Sequence, residues 1–131
     1  MIQGLLFALP LLAACAAVPA AGRAVTGVWG GEHVGLNLTS TGGTLKYDCA
    51  AGSMSGPLMI NRAGTFIGRA THTPGRGGPV IQGQRLPSYR VRYSGSVRGN
   101  TMSLRGRVEN GVLLGPFTLR RGVEPIITRC L

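Results

Sequence analysis

Residues 88–121 carry the sequence SYRVRYSGSVRGNTMSLRGRVENGVLLGPFTLRR, and this stretch decides the fold. Apolar and polar side chains alternate along it, and the alternation is interrupted at Gly99-Asn100 and Asn110-Gly111, two dipeptides that favour tight hairpin turns. Two-residue turns at both places set the register through pairs such as Arg92 with Arg107, Tyr93 with Gly106, Val108 with Leu113, and Leu104 with Phe117. Because both registers put the apolar residues on the same face, the sequence predicts three consecutive antiparallel strands with one buried face.

The chain before and after this stretch continues the pattern of short alternating runs between turn residues. No segment shows a sustained helical period, and the 22 glycines argue against long helices. Further strands are predicted near residues 25–30, 33–39, 45–50, 57–61, 65–71 and 126–130. Inward glycines at positions 68, 95, 106 and 115 indicate sharp bends, which favour a barrel over a flat sandwich. We therefore expect an all-β fold, a small closed or nearly closed antiparallel meander β-barrel of about eight strands.

The first residues have the pattern of an export signal. Residues 5–14 are apolar apart from Pro10, which suits a signal-peptide core and is too short to span a bilayer. The run ends in Leu12-Ala13-Ala14-Cys15, which resembles the lipobox of bacterial lipoproteins, where the cysteine is lipidated. Ordinary cleavage within residues 16–21 is the alternative. We predict a signal peptide over 1–14, a flexible tether over 15–24, and a single β-barrel domain over 25–131.

The cysteines fit an exported protein. If Cys15 carries a lipid, Cys49 and Cys130 remain as a pair, and an oxidising compartment allows this pair to form a disulfide. A loop of about eighty residues closed in this way restricts the unfolded chain by roughly 4.5 kcal/mol in the entropy model. Two buried thiols are the alternative. Neither cysteine has a close-spaced Cys or His, so no metal site and no cofactor are predicted.

The formal net charge is +10, from thirteen arginines and one lysine against four acidic residues. For an exported protein this charge favours anionic lipid or glycan, or an envelope protein, over nucleic acid as the partner. The β-hairpin registers place Arg92, Arg105 and Arg107 on the outer face as a candidate anion-binding patch. Arg92 and Arg107 would lie directly opposite each other, an unfavourable arrangement that an anion would compensate. A solvated face with splayed arginines is the alternative.

A second candidate region is the barrel mouth with the long connection over residues 72–87. It includes Trp29, His33, Arg76, Gly77 and Gly78; long loops in compact barrels often bind ligands. Trp29 is predicted as a core plug, with a ligand-stacking platform as the alternative, and the glycine pair as a flexible connection or an anion cradle.

No catalytic group is predicted. A turn at Gly42-Gly43 would pair Leu38 with Tyr47 and Leu36 with Cys49. It would also put His33 about four residues, or roughly 13 Å, from the level of Asp48, so that Asp48 could not orient the imidazole. His72 is placed in the long loop without a partner. We therefore expect the protein not to be an enzyme.

Several short motifs occur in a characteristic order: Trp29-Gly30-Gly31-Glu32-His33, Tyr47-Asp48-Cys49-Ala50-Ala51-Gly52, Gly77-Gly78-Pro79, Tyr93-Ser94-Gly95, Met102-Ser103-Leu104, Gly115-Pro116-Phe117-Thr118-Leu119 and Cys130. In this order residues 27–130 resemble a group of small exported bacterial proteins, often lipoproteins, without an assigned activity. Where those proteins tend to have His after Cys-Ala, this chain has Ala51, which puts in doubt any metal or acid-base role for that position.

These observations predict a non-enzymatic cell-envelope lipoprotein, held at the membrane by the lipid on Cys15, whose basic outer face or long loop binds a partner. Without the lipid anchor, the protein is expected to be secreted. The alternatives are a small-ligand carrier with a calyx at the barrel mouth and an inhibitor of an exported enzyme.

Overall fold

The computed structural model describes residue 4, residues 22–75, residue 83 and residues 86–129. The residues in these ranges form β-strands and no helix. The strands are β1 (Arg23–Ala24), β2 (Gly27–Gly31), β3 (Val34–Leu38), β4 (Gly43–Tyr47), β5 (Ala50–Met54), β6 (Met59–Ile60), β7 (Thr65–Pro74), β8 (Tyr89–Arg98), β9 (Thr101–Val108) and β10 (Leu113–Arg121).

Eight of these strands close into an antiparallel barrel. Around the barrel they follow the order β2, β3, β4, β5, β7, β8, β9 and β10, and β10 returns to pair with β2. The short strands β6 and β1 are additional, since β6 pairs beside β7 and β1 pairs with β6. From β3 onward, each barrel strand thus pairs with the barrel strand that precedes it in the chain. The predicted closed meander barrel is confirmed.

Side chains fill the interior of the barrel. Strand β9 shows the pattern most clearly, because its side chains are alternately exposed and buried over its whole length. The largest fully buried side chains are Trp29, Tyr93, Leu45, Leu58, Met102, Leu104, Leu119 and Val34. All but Leu58, which directly precedes β6, come from six of the eight barrel strands, so one continuous core holds the walls together.

Tyr93 is seated between two glycines of the barrel wall. The register pairs it with Gly68 on β7 and with Gly106 on β9. A Cβ atom at Gly106 would lie only 2.8 Å from the Tyr93 ring, so the ring occupies the space that the glycine leaves. The predicted pairing of Tyr93 with Gly106 is confirmed. The space at Gly68 is filled differently, because a Cβ atom there would lie 2.8 Å from Leu58 and 3.5 Å from Met54.

The predicted register of β8 with β9 is confirmed from Val91–Val108 to Arg98–Thr101. The predicted register of β9 with β10 holds at Leu104–Phe117 and beyond, but it is interrupted between Leu114 and Phe117. Before this bulge Leu113 lies opposite Arg107, so the predicted pairing of Leu113 with Val108 is wrong. The bulge inserts one extra residue on β10, which turns the side chains that precede it to the other face.

Gly115 lies at this bulge, exposed and with a φ of +84°, and is not the inward glycine that the sequence predicted.

Two strand predictions at other places are wrong. Residues 50–54 form β5 although no strand was expected there; its small residues have weak β propensity, and the ladders to β4 and β7 hold it in place. Residues 126–129 do not form a strand: Ile126 makes a single parallel bridge to Glu32. Two residues of the predicted tether, Arg23 and Ala24, belong to the folded part as β1.

We predict that Gly95→Ala destabilises the barrel by about 1–3 kcal/mol, the range found when a packed core is overfilled. A Cβ atom there would lie 1.9 Å from the carbonyl oxygen of Ser103 and 2.8 Å from Phe66, so the backbone itself must move. Gly56→Ala is the matched control, because its Cβ would meet nothing within 4 Å. Urea unfolding of both variants measures the effect, and equal stabilities would contradict it.

Candidate anion-binding face

Three arginines lie side by side on the outside of the barrel. Arg69 on β7 is directly opposite Arg92 on β8, and Arg92 is directly opposite Arg107 on β9. All three side chains are exposed. Since neighbouring strands are about 4.8 Å apart, the row places three guanidinium groups within reach of one anion. We call Arg69, Arg92 and Arg107 the arginine row.

The arginines that the sequence predicted for an anion-binding patch lie on the outer face, but the row contains a different set. Arg92, Arg105 and Arg107 all lie on the outer face, as predicted, but Arg105 is opposite Ser94 and not opposite another arginine. Arg69 was missed. The long connection between β7 and β8 gives no turn from which their register could be counted, although the inward positions of Phe66 and Ala70 would have shown that Arg69 points outward.

No arginine in the described part of the chain forms an ion pair with a carboxylate; the basic side chain that contacts a carboxylate there is His33, which is hydrogen-bonded to Asp48. The carboxylate nearest the arginine row in sequence is Glu109, whose Oε1 accepts a hydrogen bond of 3.1 Å from the backbone N–H of Arg90. Glu109 thus contacts the backbone of Arg90 and forms no ion pair with its side chain. Like charges directly across a sheet repel one another, so the arginine row is left with an uncompensated repulsion.

A shallow groove of about 590 Å³ runs along this face. Its lining combines the charged residues Arg69, Arg90, Arg92, Arg107 and Glu109 with Ala70, Val91, Val108 and Gly111. The arrangement suits a phosphate, sulfate or carboxylate group, because guanidinium groups form charge-assisted, bidentate hydrogen bonds with such anions.

Trp29 is not available as a ligand platform. Its side chain is fully buried, its Nε1 donates a hydrogen bond of 3.1 Å to the Thr26 carbonyl, and the Arg121 guanidinium lies 4.4 Å from the ring centroid. The core-plug interpretation is confirmed. Cys15, Arg76, Gly77, Gly78 and Cys130 lie outside the described residues, so their predicted roles stay predictions.

His33 and Asp48 are hydrogen-bonded through His33 Nδ1 and Asp48 Oδ2, which contradicts the prediction that Asp48 cannot orient His33. The error came from the predicted position of the turn between β3 and β4. The strands β3 and β4 are joined by Thr39–Gly42, closed by a hydrogen bond of 2.8 Å from the Thr39 N–H to the Gly42 carbonyl. This shifts the register by four residues, so that Leu36 pairs with Leu45.

The His33–Asp48 pair fastens the segment that follows the barrel. Asp48 Oδ1 accepts a hydrogen bond of 2.7 Å from the N–H of Thr128, and the His33 N–H donates to the Ile126 carbonyl at 2.8 Å. The Thr128 N–H, with His33 beside it, holds the pKa of Asp48 below its usual value. The geometry therefore gives these two side chains a role in holding the segment around residues 126–128.

His72 lies in β7 with its side chain buried, and not in the long loop where the sequence placed it. Its ring meets the Tyr47 ring edge-on at 5.4 Å, and the Tyr47 hydroxyl donates a hydrogen bond of 2.6 Å to the Tyr93 hydroxyl. Burial lowers the pKa of His72, raises that of Tyr93 to about 12, and raises that of Tyr47 still further. The interior polar groups are thus neutral at pH 7.

Two further findings concern the described residues only. No helix among them is long and apolar enough to cross a bilayer. No three of their His, Cys, Asp and Glu side chains come together as a group that could hold a metal ion.

Comparisons of the chain with protein-family models, with curated proteins and with solved structures find no match. The function is therefore inferred from the residues and their geometry.

We predict that the barrel loses stability as the pH falls below about 6.5, the ordinary pKa of histidine. The folded state binds a proton on His72 less readily than the unfolded state, so the stability that neutral His72 provides above this pH is lost on acidification. Urea unfolding at about pH 7.5 and about pH 5.5, one value above that pKa and one below it, measures the change.

The variants identify the group responsible. His72→Leu should lack most of this pH dependence, whereas His33→Asn should keep it, because His72 is then the remaining histidine of the two in the chain. An unchanged dependence in His72→Leu would contradict the assignment to His72.

Proposed function

We propose that the protein is a non-enzymatic binding module of the cell envelope, which holds an anionic partner on the outer face of β7, β8 and β9. The observation that carries the proposal is the arginine row, three opposed cations without a carboxylate partner among the described residues. An anion bound across the row would remove the repulsion between Arg69, Arg92 and Arg107, and this relief adds to its own attraction for each guanidinium.

The outer face is favoured over a ligand calyx because of how the interior is packed. Trp29, Tyr93 and Leu104 are fully buried, and the Tyr47–Tyr93 hydrogen bond runs through the interior between β4 and β8. A calyx would need open space where these side chains lie.

The cellular setting in this proposal follows from the leader. A lipid on Cys15 would hold the barrel at the membrane surface after export. A tether of a few residues would then keep the arginine row close to the envelope, where anionic headgroups and acidic glycans are abundant.

A disulfide between Cys49 and Cys130 is part of the proposal. The hydrogen bond from the Thr128 N–H to Asp48 places the chain two residues before Cys130 next to the residue that precedes Cys49. Two residues reach about 7 Å at full extension, and the Cα atoms of a disulfide are usually about 4.4–6.8 Å apart.

We predict that removing either Cys49 or Cys130 lowers the free energy of unfolding by up to roughly 4.5 kcal/mol, through the loop entropy that the bridge removes from the unfolded chain. Peptide mapping without reduction, on protein taken from the exported fraction, should find Cys49 linked to Cys130. Cys15→Ser is the control and should leave this link intact. Detection of both cysteines as thiols, or of Cys49 linked to Cys15, would contradict the bridge.

The binding proposal predicts that the full chain with Arg69, Arg92 and Arg107 changed to Ser binds dextran sulfate at least about tenfold more weakly at low salt than the wild type. The control changes Arg62, Arg98 and Arg120 to Ser, which removes the same charge from exposed positions outside the arginine row. Retention on dextran sulfate resin in a salt gradient measures both. Equal retention of the two triple variants would mean that the row is only a solubilising surface.

A further inference from the structure

The arginine row is bordered by exposed apolar side chains. Leu113 lies opposite Arg107 and is 66% exposed, and the adjacent Val112 is 51% exposed at the tip of the β9–β10 hairpin. On the other side, Ile67 precedes Arg69 by two residues on β7, so it shares the outer face, and it is 61% exposed. Adjacent exposed apolar side chains rimmed by polar groups, such as Val112 and Leu113 beside the arginine row, are a feature of binding surfaces.

The β10 bulge is what puts Leu113 on this face. The register from Leu104–Phe117 onward, continued without the bulge, would pair Leu113 with Val108, whose side chain is buried in the core. The irregularity between Leu114 and Phe117 instead pairs it with Arg107. The bulge thus leaves Leu113 exposed beside the three arginines, while Leu114, opposite Gly106, packs against the core in its place.

A bilayer surface accounts for both parts of this face. Lipid phosphates would take the place of the missing carboxylates at the arginine row, and the apolar layer beneath the headgroups would receive Val112 and Leu113. A soluble polyanion would satisfy the arginines but would leave these two side chains in water. Glu109, the carboxylate of the groove, is held by the Arg90 N–H and lies within a lining of four arginines, so the face remains strongly cationic.

We propose that this face docks on an anionic lipid membrane, with phosphates bound by the arginine row and the Val112–Leu113 tip inserted into the headgroup region. This inference rests on the proposed function and specifies its anionic partner. The lipid class is defined by its chemistry, a negatively charged phospholipid headgroup at a bilayer surface.

The test is sedimentation with two kinds of vesicle. One kind is phosphatidylcholine alone, and the other contains equal amounts of phosphatidylcholine and phosphatidylglycerol. All proteins are full chains that carry Cys15→Ser, so that no acyl anchor forms and any contribution of residues 1–21 is common to them. The reference protein should sediment with the anionic vesicles and much less with the neutral ones. Changing Val112 and Leu113 to Ser should weaken this binding about tenfold, while binding to dextran sulfate stays unchanged.

The matched control changes Val28 and Met59 to Ser, two exposed apolar side chains on other strands, and should bind both vesicles as the reference does. A Leu113→Trp variant adds a direct readout, because the chain has one native tryptophan, Trp29, which is buried. Its fluorescence should shift to shorter wavelength with anionic vesicles and not with dextran sulfate.

Unchanged vesicle binding after the Val112 and Leu113 changes would overturn membrane docking through the tip, even if the arginine row still binds anions. Binding of the reference protein to dextran sulfate but not to anionic vesicles would also overturn it, in favour of a soluble polyanion. Loss of dependence on the arginine row in both assays would instead remove the proposed function itself.

Discussion

The hydrogen bond between the hydroxyls of Tyr47 and Tyr93 requires space inside the barrel for the Tyr93 ring, and this requirement constrains the barrel wall around it. The Tyr93 ring lies in the space that Gly106 leaves on β9, whereas the space at Gly68 on β7 is taken by Leu58. The register sets Gly68, Tyr93 and Gly106 level with one another on three neighbouring strands. The arginine row follows from the same alignment. Arg69, Arg92 and Arg107 are the sequence neighbours of these three residues, and neighbours along a strand point to opposite faces. Interior packing therefore sets the geometry of the outer charges.

The parts of this arrangement that the sequence predicts are those joined by short turns of known type. The Gly99-Asn100 turn fixes the whole register of β8 with β9, and with it the opposition of Arg92 and Arg107. The position of Arg69 opposite Arg92 was not predicted, because the connection before β8 is long and contains no turn from which the register could be counted. The exposure of Leu113 escapes because a bulge is a tertiary compromise around Gly115, and an alternating pattern continues across it without a visible break.

The same limit explains the His33–Asp48 pair. Both residues lie in turns with positive φ nearby, at His33 itself and at Cys49 next to Asp48. Their approach depends on the loop between β3 and β4 having four residues, closed through Thr39 and Gly42. A two-residue turn at Gly42-Gly43 gives a register that differs from the observed one by four residues. Because this shift is even, the same side chains point inward in both registers, and the apolar pattern cannot distinguish them. The two registers differ only in which residue lies opposite each side chain, and this determines which side chains can form a site.

The seam between β2 and β10 has a consequence for how the chain reaches this structure. It joins the first and last strands of the barrel through only two register pairs, Arg120–Gly30 and Arg121–Trp29, with the Glu32–Ile126 bridge beyond them. Contacts of such long sequence separation form late and slow the folding of β proteins. Until residues 120–126 are in place, the preceding strands form an open sheet with two unpaired edges, which are prone to aggregation. Closure of the barrel thus depends on the last strand, β10, and on the segment that follows it.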